Sequence, residues 1–143
     1  MLFKTILVPT DLEGASNPGL EKAAQMARES EGRIVAAHVM SSASIDVTDV
    51  PHQAQPLREQ AESRARTTIE ALLEQHAEGV PATVHLAFGN PAEEIKRLAD
   101  DVSADLVVIT VKNRSRIGKL LLGSQAQEII LASNVPVLCV PRG

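Results

Sequence analysis

The chain has 143 residues, a formal net charge of −4, 44% hydrophobic and 22% charged residues. That is the length of one ordinary domain with near-average globular composition, which excludes disordered, collagenous and coiled-coil chains. No apolar run approaches the roughly 18 residues of a membrane span.

Aromatic residues are nearly absent, with no Trp, no Tyr and only Phe3 and Phe88. The core must therefore be built from Ala, Val, Ile and Leu. Platforms for stacking single-stranded nucleic acid are lacking, and the negative charge disfavours nucleic acid and acidic lipid as partners. The one cysteine, Cys139, lies in an apolar run without a second thiol for a disulfide or metal site, and reads as a small core residue. The amino terminus runs straight into a strand-like segment, so no signal peptide and a cytoplasmic protein are expected.

Thr5-Ile6-Leu7-Val8, closed by Pro9, reads as a first strand buried on both faces. Leu20, Ala23, Ala24 and Ala27 recur at helical spacing, and Gly32 is expected to end that helix. The second buried strand is Ile34 to Val39. Residues 41–55 are rich in Ser, Asp and Pro and read as a long loop. A longer helix carries Leu57, Ala61, Ala65, Ile69, Leu72 and Leu73. Thr83-Val84-His85-Leu86 alternates, which predicts a third strand near a sheet edge. Asn90, Pro91 and Glu93 form a helix start, with Asn90 as N-cap, followed by the stripe Ile95, Leu98, Ala99 and Val102. Leu106 to Ile109 is the fourth strand, and a basic stretch, Lys112 to Lys119, follows it. Ser124 and Gln127 are expected to form a capping box on the last helix. Val135 to Val140 is the last strand, placed at an edge or interface by Pro136.

Strands alternating with helices predict an α/β fold over residues 1–143: a single-domain, open, five-stranded parallel sheet with helices on both faces. With strand order 3-2-1-4-5, a ligand crevice opens beyond the carboxyl ends of the first and fourth strands. Residues from Pro9 to Glu13 would then face residues from Thr110 onward. From Leu106 to Gln127 there is no acidic residue, yet Lys112, Arg114, Arg116 and Lys119 fall there. The stretch ends at Gly123-Ser124, a helix start whose free N–H groups and dipole suit an anion. The same residues also read as a solvated loop before an ordinary capped helix.

Standard phosphate motifs are missing. Gly118-Lys119 is followed by Leu120, so there is no P-loop, and no G-x-G-x-x-G follows the first strand. A receiver domain is excluded too: Ala87-Phe88-Gly89 ends the third strand where an acceptor Asp is needed, and Val140-Pro141-Arg142 ends the fifth where a Lys is needed. His38, His52, His76 and His85 form no ligand or triad spacing, so no catalytic or metal residue is assigned.

Several segments resemble the universal stress protein family: Ile6-Leu7-Val8-Pro9-Thr10-Asp11, Ala37-His38-Val39, Gly89 to Ile95, Ala104 to Ile109, Leu120 to Ser124, and Val135 to Val140. The resemblance implies a Rossmann-like fold of the adenine nucleotide alpha-hydrolase type. It also implies a homodimer paired through Val135–Val140 and an adenine-nucleotide site, for ATP or a relative, with Mg2+ only as the nucleotide's companion. In the nucleotide-binding branch the pattern is Gly, two residues, Gly, nine residues, then Gly-Ser or Gly-Thr. Here Thr110 and Asn113 stand at the first two glycine positions, and Gly123-Ser124 is intact. Asn113 tolerates a left-handed turn, whereas the branched Thr110 side chain is expected to project toward the ligand.

By the same resemblance, adenine meets Val39 main-chain groups and the wall at Pro9, and Thr10 and Asp11 lie beside base and ribose. Lys112 and Asn113 flank the phosphates, and Gly123, Ser124 and Gln125 offer N–H groups. Arg114, Arg116 and Lys119 supply charge. Each also has a purely structural role open to it; Asp11, for example, could cap the first helix. Three functions from different classes remain: a nucleotide-binding stress or signalling module, a ligand-free homodimeric interaction protein, and a slow ATP hydrolase, which is disfavoured because only Asp11 and Glu13 are placed near the site.

Overall fold

Short runs of Ile, Leu, Val and Ala with no polar face are stable only as strands covered on both sides. The computed structural model describes residues 3–12, 17–41, 54–111, 113–114 and 120–142. Its elements are β1 (Thr5–Pro9), α1 (Pro18–Ser30), β2 (Arg33–Met40), α2 (Ala54–His76), β3 (Ala82–Phe88), α3 (Pro91–Asp101), β4 (Leu106–Val111), β5 (Asn113–Arg114), β6 (Leu120–Leu121), α4 (Ser124–Ala132) and β7 (Val137–Pro141). β1, β2, β3, β4 and β7 form one parallel sheet in the order β3-β2-β1-β4-β7. Counting these principal strands alone, the order is the expected 3-2-1-4-5.

This order dictates where the helices go. Parallel crossovers are right-handed, so reversing the direction of travel across the sheet moves the connecting helix to the other face. The chain steps from β1 to β2 to β3 one way, and α1 and α2 cover one face. It then returns past β1 to β4 and β7, and α3 and α4 cover the other. Alternating strand residues accordingly sort into two cores. Ile6, Val8, Ile34, Ala36, Leu106 and Val108 pack with Leu20, Ala23, Ala27, Ile69 and Leu72 of α1 and α2. Leu7, Val35, Ala37, Val107 and Ile109 pack with Ala92, Ile95, Ala99 and Ile129 of α3 and α4.

β3 lies at the sheet edge with a partly exposed surface, as its alternation predicts. β7 lies at the other edge. Pro136 sits just before β7, where its carbonyl accepts from Val107 N–H at 3.0 Å and its missing N–H leaves the ladder intact. Cys139 packs in the α3/α4 layer but is only half-buried, which corrects the expected full burial; partial desolvation pushes its thiol above the usual range.

Local signals were decided by tertiary contacts in four places. The left-handed residue closing α1 is Glu31, with φ 54°, rather than Gly32. Gly32 is needed instead because a Cβ there would lie 2.6 Å from the Lys4 carbonyl oxygen. α2 starts at Ala54, inside the stretch expected to be a loop, while Leu57 is 41% exposed and the fully buried part of its stripe begins at Ala65. The basic stretch includes β5, which pairs antiparallel with β6 just beyond the stretch; two-residue strands cannot announce themselves by periodicity. The Ser124–Gln127 capping box does not form: Gly123 is the N-cap of α4 without a side-chain cap bond, and Gln127 Nε2 donates to the Leu122 carbonyl at 3.0 Å. Among the described residues no helix is long and apolar enough to cross a membrane.

Leu20 is fully buried under the sheet, whereas Leu131 on α4 is 85% exposed. Leu20→Ala is expected to cost about 2–5 kcal/mol through lost burial and a residual cavity. Leu131→Ala should change the stability of the isolated chain by less than about 0.5 kcal/mol. Urea denaturation of both variants checks the pair; equal losses would contradict this assignment of the core.

Candidate functional site

The chain leaves β1 toward one face and β4 toward the other, which parts it at their carboxyl ends. A crevice of about 730 Å³, including its solvent-open mouth, lies there. Its walls are Pro9, Thr10 and Asp11 after β1, Ala37, His38 and Val39 at the end of β2, Ile109 and Thr110 of β4, Pro91 and Ile95 of α3, and Gln125, Ala126 and Ile129 of α4.

Six of the residues expected from sequence therefore meet in one place: Pro9, Thr10, Asp11, Val39, Thr110 and Gln125. Gly123 and Ser124 stand at the exposed start of α4 next to Gln125. Asn113 and Arg114 are described by backbone alone, in β5, and Lys112, Arg116 and Lys119 lie outside the described residues, as does Glu13. Ala37, His38, Pro91, Ile95, Ile109, Ala126 and Ile129 were missed as wall residues, since a mostly apolar wall carries no motif of its own.

The backbone at the β2 end is aimed at the crevice. In the β2 ladder, Arg33 N–H donates to Lys4 O, and Ala37 O accepts from Thr10 N–H, so odd-numbered residues point their polar groups toward β1. Even-numbered residues point toward β3, as in Ile34 N–H to Pro81 O and Gly89 N–H to Met40 O. Val39 is odd, and β1 ends at Pro9, opposite Ala37. The amide edge of Val39 thus faces the crevice side beyond the last β1 residue, a donor and acceptor pair fit for a planar heterocycle. Thr10 donates its hydroxyl to Ala37 O at 3.1 Å. His38 Nδ1 lies 2.9 Å from Thr10 O; a carbonyl only accepts, so Nδ1 carries the proton and the ring braces the β1 end.

The two helices that start at the crevice differ. α3 is capped by Asn90, whose Oδ1 accepts from Glu93 N–H at 3.0 Å, and Glu93 and Glu94 occupy its first turn. α4 has no side-chain cap and no acid in its first turn. Its first N–H groups and dipole favour an anion, where α3 already has a side-chain cap on Glu93 N–H and two acids in its first turn.

Thr110 departs most from expectation. It follows Leu106 and Val108 on the α1 face of β4, so its side chain turns away from the α3/α4 face and its place in the crevice wall does not rest on its hydroxyl. Its Oγ1 accepts from Gly19 N–H at 2.9 Å and donates to Asn17 Oδ1 at 3.2 Å. Asn17 in turn caps α1 through Leu20 N–H at 3.1 Å. The Thr110 side chain is therefore a strut between β4 and the start of α1, not an obstruction in the ligand's place. Asn17 takes the capping role, so Asp11 does not cap α1. Asp11 instead faces Arg142, whose Nη2 is 3.2 Å from Oδ2. That partner, at the far end of the chain, could not be anticipated from local sequence.

A Cβ at Gly19 would collide with Thr110 Oγ1 and lie 3.2 Å from Thr110 N. Gly19→Ala should destabilise the fold by about 1–3 kcal/mol, and Thr110→Gly should relieve part of that loss in the double variant. Thr110→Gly alone should cost about 1–2 kcal/mol, from the lost strut and a glycine in a strand, while leaving the crevice unchanged. Denaturation of the two single variants and the double variant tests this; additive losses would mean that the two positions do not touch.

The sequence matches the model of the family described as the universal stress protein family over residues 2–141. Universal stress protein G of Escherichia coli O157:H7 is 33% identical over 147 aligned positions, covering 97% of this chain and 99% of that protein. The solved structure of hypothetical protein MJ0577 superposes with a TM-score of 0.83 at 24% identity, covering 100% and 99% of the two chains. That of the universal stress protein from Archaeoglobus fulgidus in complex with dAMP superposes with a TM-score of 0.60 at 25% identity, covering 97% and 98%.

Proposed function

The chain belongs to the universal stress protein family, and from that premise we propose that it is a stress-response or signalling module that binds an adenine nucleotide, ATP or a relative, between β1 and β4. The observation that carries this is the convergence on one crevice of the Val39 amide edge, the Asp11 carboxylate and the uncapped start of α4. In this proposal the base lies against Pro9 and Val39, and Asp11 accepts from a ribose hydroxyl. The phosphates run toward Gly123, Ser124 and Gln125, with Lys112 and Asn113 flanking them and Arg114, Arg116 and Lys119 supplying charge. The relative from Archaeoglobus fulgidus, solved with dAMP, supports the ligand class. The nucleotide is bound rather than turned over, and Mg2+ enters only with it. Among the described residues no group of three or more His, Cys, Asp or Glu side chains is placed to hold a metal ion.

Calorimetry of nucleotide-stripped protein with ATP, ADP and cyclic AMP at two salt concentrations tests the proposal. Binding is expected, and ATP should weaken most as salt rises, because exposed charges are screened over about 10 Å at 0.1 M. Absence of heat with all three would remove the nucleotide and leave a ligand-free interaction module.

The second part of the proposal is a homodimer through Val135–Val140. β7 is an edge strand whose outer ladder would otherwise lie open, and a second copy related by a twofold axis satisfies it. Leu131, on the helix that leads into β7, adds exposed apolar surface for such an interface. Light scattering at micromolar concentration should give twice the 15.3 kDa chain mass; a folded monomer would refute the dimer.

A further inference from the structure

Asp11 is an awkward neighbour for a phosphorylated ligand. It lines the crevice, and an uncompensated carboxylate there would repel the anion that the start of α4 attracts. Among the described residues, the cation that faces it is Arg142, just after β7. Arg142 Nη2 lies 3.3 Å from Asp11 Oδ1 and 3.2 Å from Oδ2, so one nitrogen bridges both oxygens. The two side chains are about equally shielded, at 25% and 26% exposure, so solvent screens the pair only partly. Arg142 is fixed through its backbone: its N–H donates to Val111 O at 2.9 Å, extending the β4–β7 ladder past the Val111–Pro141 register. From there the guanidinium crosses the end of β4 to reach the end of β1. Arg142 itself is not among the residues lining the crevice.

From this geometry, and resting on the nucleotide reading above, we infer that Arg142 is a positioning residue of the site. It neutralises and aims Asp11, so that the carboxylate takes a ribose hydroxyl without repelling the phosphates. Its effect on a ligand passes through Asp11, and it grows with the number of phosphates the ligand carries. Because a single nitrogen makes the contact, charge matters more here than the two-pronged geometry that distinguishes Arg from Lys.

The experiment is calorimetry of adenosine, AMP and ATP with the full chain and three variants, each checked for folding by circular dichroism. Arg142→Gln should weaken ATP by roughly three- to tenfold, AMP less, and adenosine by under about twofold, with the ATP loss shrinking at high salt. Arg142→Lys should stay within about twofold of the unsubstituted chain for all three. Adding Asp11→Asn to Arg142→Gln should restore most of the ATP affinity, since Asn keeps an oxygen for the ribose and drops the charge. Equal losses for the three ligands would reduce Arg142 to a structural brace, and no loss would remove it from the site. Failure of the double variant to recover ATP binding would mean that Arg142 acts on phosphate directly; each of these outcomes overturns the inference while leaving the nucleotide reading standing. If the unsubstituted chain binds none of the three, the nucleotide reading falls and takes this inference with it.

Discussion

A right-handed crossover can place its helix on only one face of the sheet for a given direction of travel. This chain travels from β1 to β2 and β3, then returns past β1 to β4 and β7. The reversal puts α1 and α2 on one face and α3 and α4 on the other, and it parts the chain at the carboxyl ends of β1 and β4. The crevice follows from that parting. So does its lining, because the described segments around it are mostly strand ends and helix first turns, joined by Ile95 and Ile129 from farther along α3 and α4. Strand ends bring unspent backbone donors and acceptors; helix starts bring free N–H groups. A crevice that sets polar backbone groups beside apolar walls is therefore the natural product of an aliphatic sheet.

The polar side chains at this edge divide into two kinds. Thr10, Asn17, His38 and Thr110 spend their hydrogen bonds on the protein, fastening the ends of β1, β2 and β4 to one another and to α1. They make the edge rigid. The start of α4 is left uncapped, and Asp11 lines the cavity while held by Arg142. The distinction changes the meaning of the altered glycine pattern. A threonine where the expected pattern has glycine looks like damage to a ligand site, but on a strand a side chain faces one side only, and this one faces α1. Its bulk is matched by Gly19 across the interface.

The same edge joins the two halves of the proposed function. β7 carries the open ladder that a second copy would pair with, and it also delivers Arg142 to Asp11. A change in β7 is thereby one backbone step from the charge balance of the crevice.

What the sequence determined by itself was whatever rests on local pattern. Apolar runs without a polar face specify buried strands, and their alternation with helical stripes specifies a parallel sheet. The Asn90-Pro91 start of α3 and the exposed edge character of β3 were legible for the same reason. The segments shared with the universal stress protein family contain Pro9, Thr10, Asp11 and Val39, four of the six crevice residues expected from sequence. Tertiary structure alone decided matters that depend on which face a side chain takes and on what arrives from elsewhere in the chain. The direction of Thr110, the need for Gly19 and Gly32, and the Asp11–Arg142 pair across 131 residues of sequence all belong here. So does the start of α4, where Ser and Gln at capping-box spacing promise a cap. The chain enters the helix at Gly123, one residue earlier, and leaves the N–H groups of the first turn open. Spacing along a chain fixes which residues can share an element; only the packed sheet fixes what each of them meets.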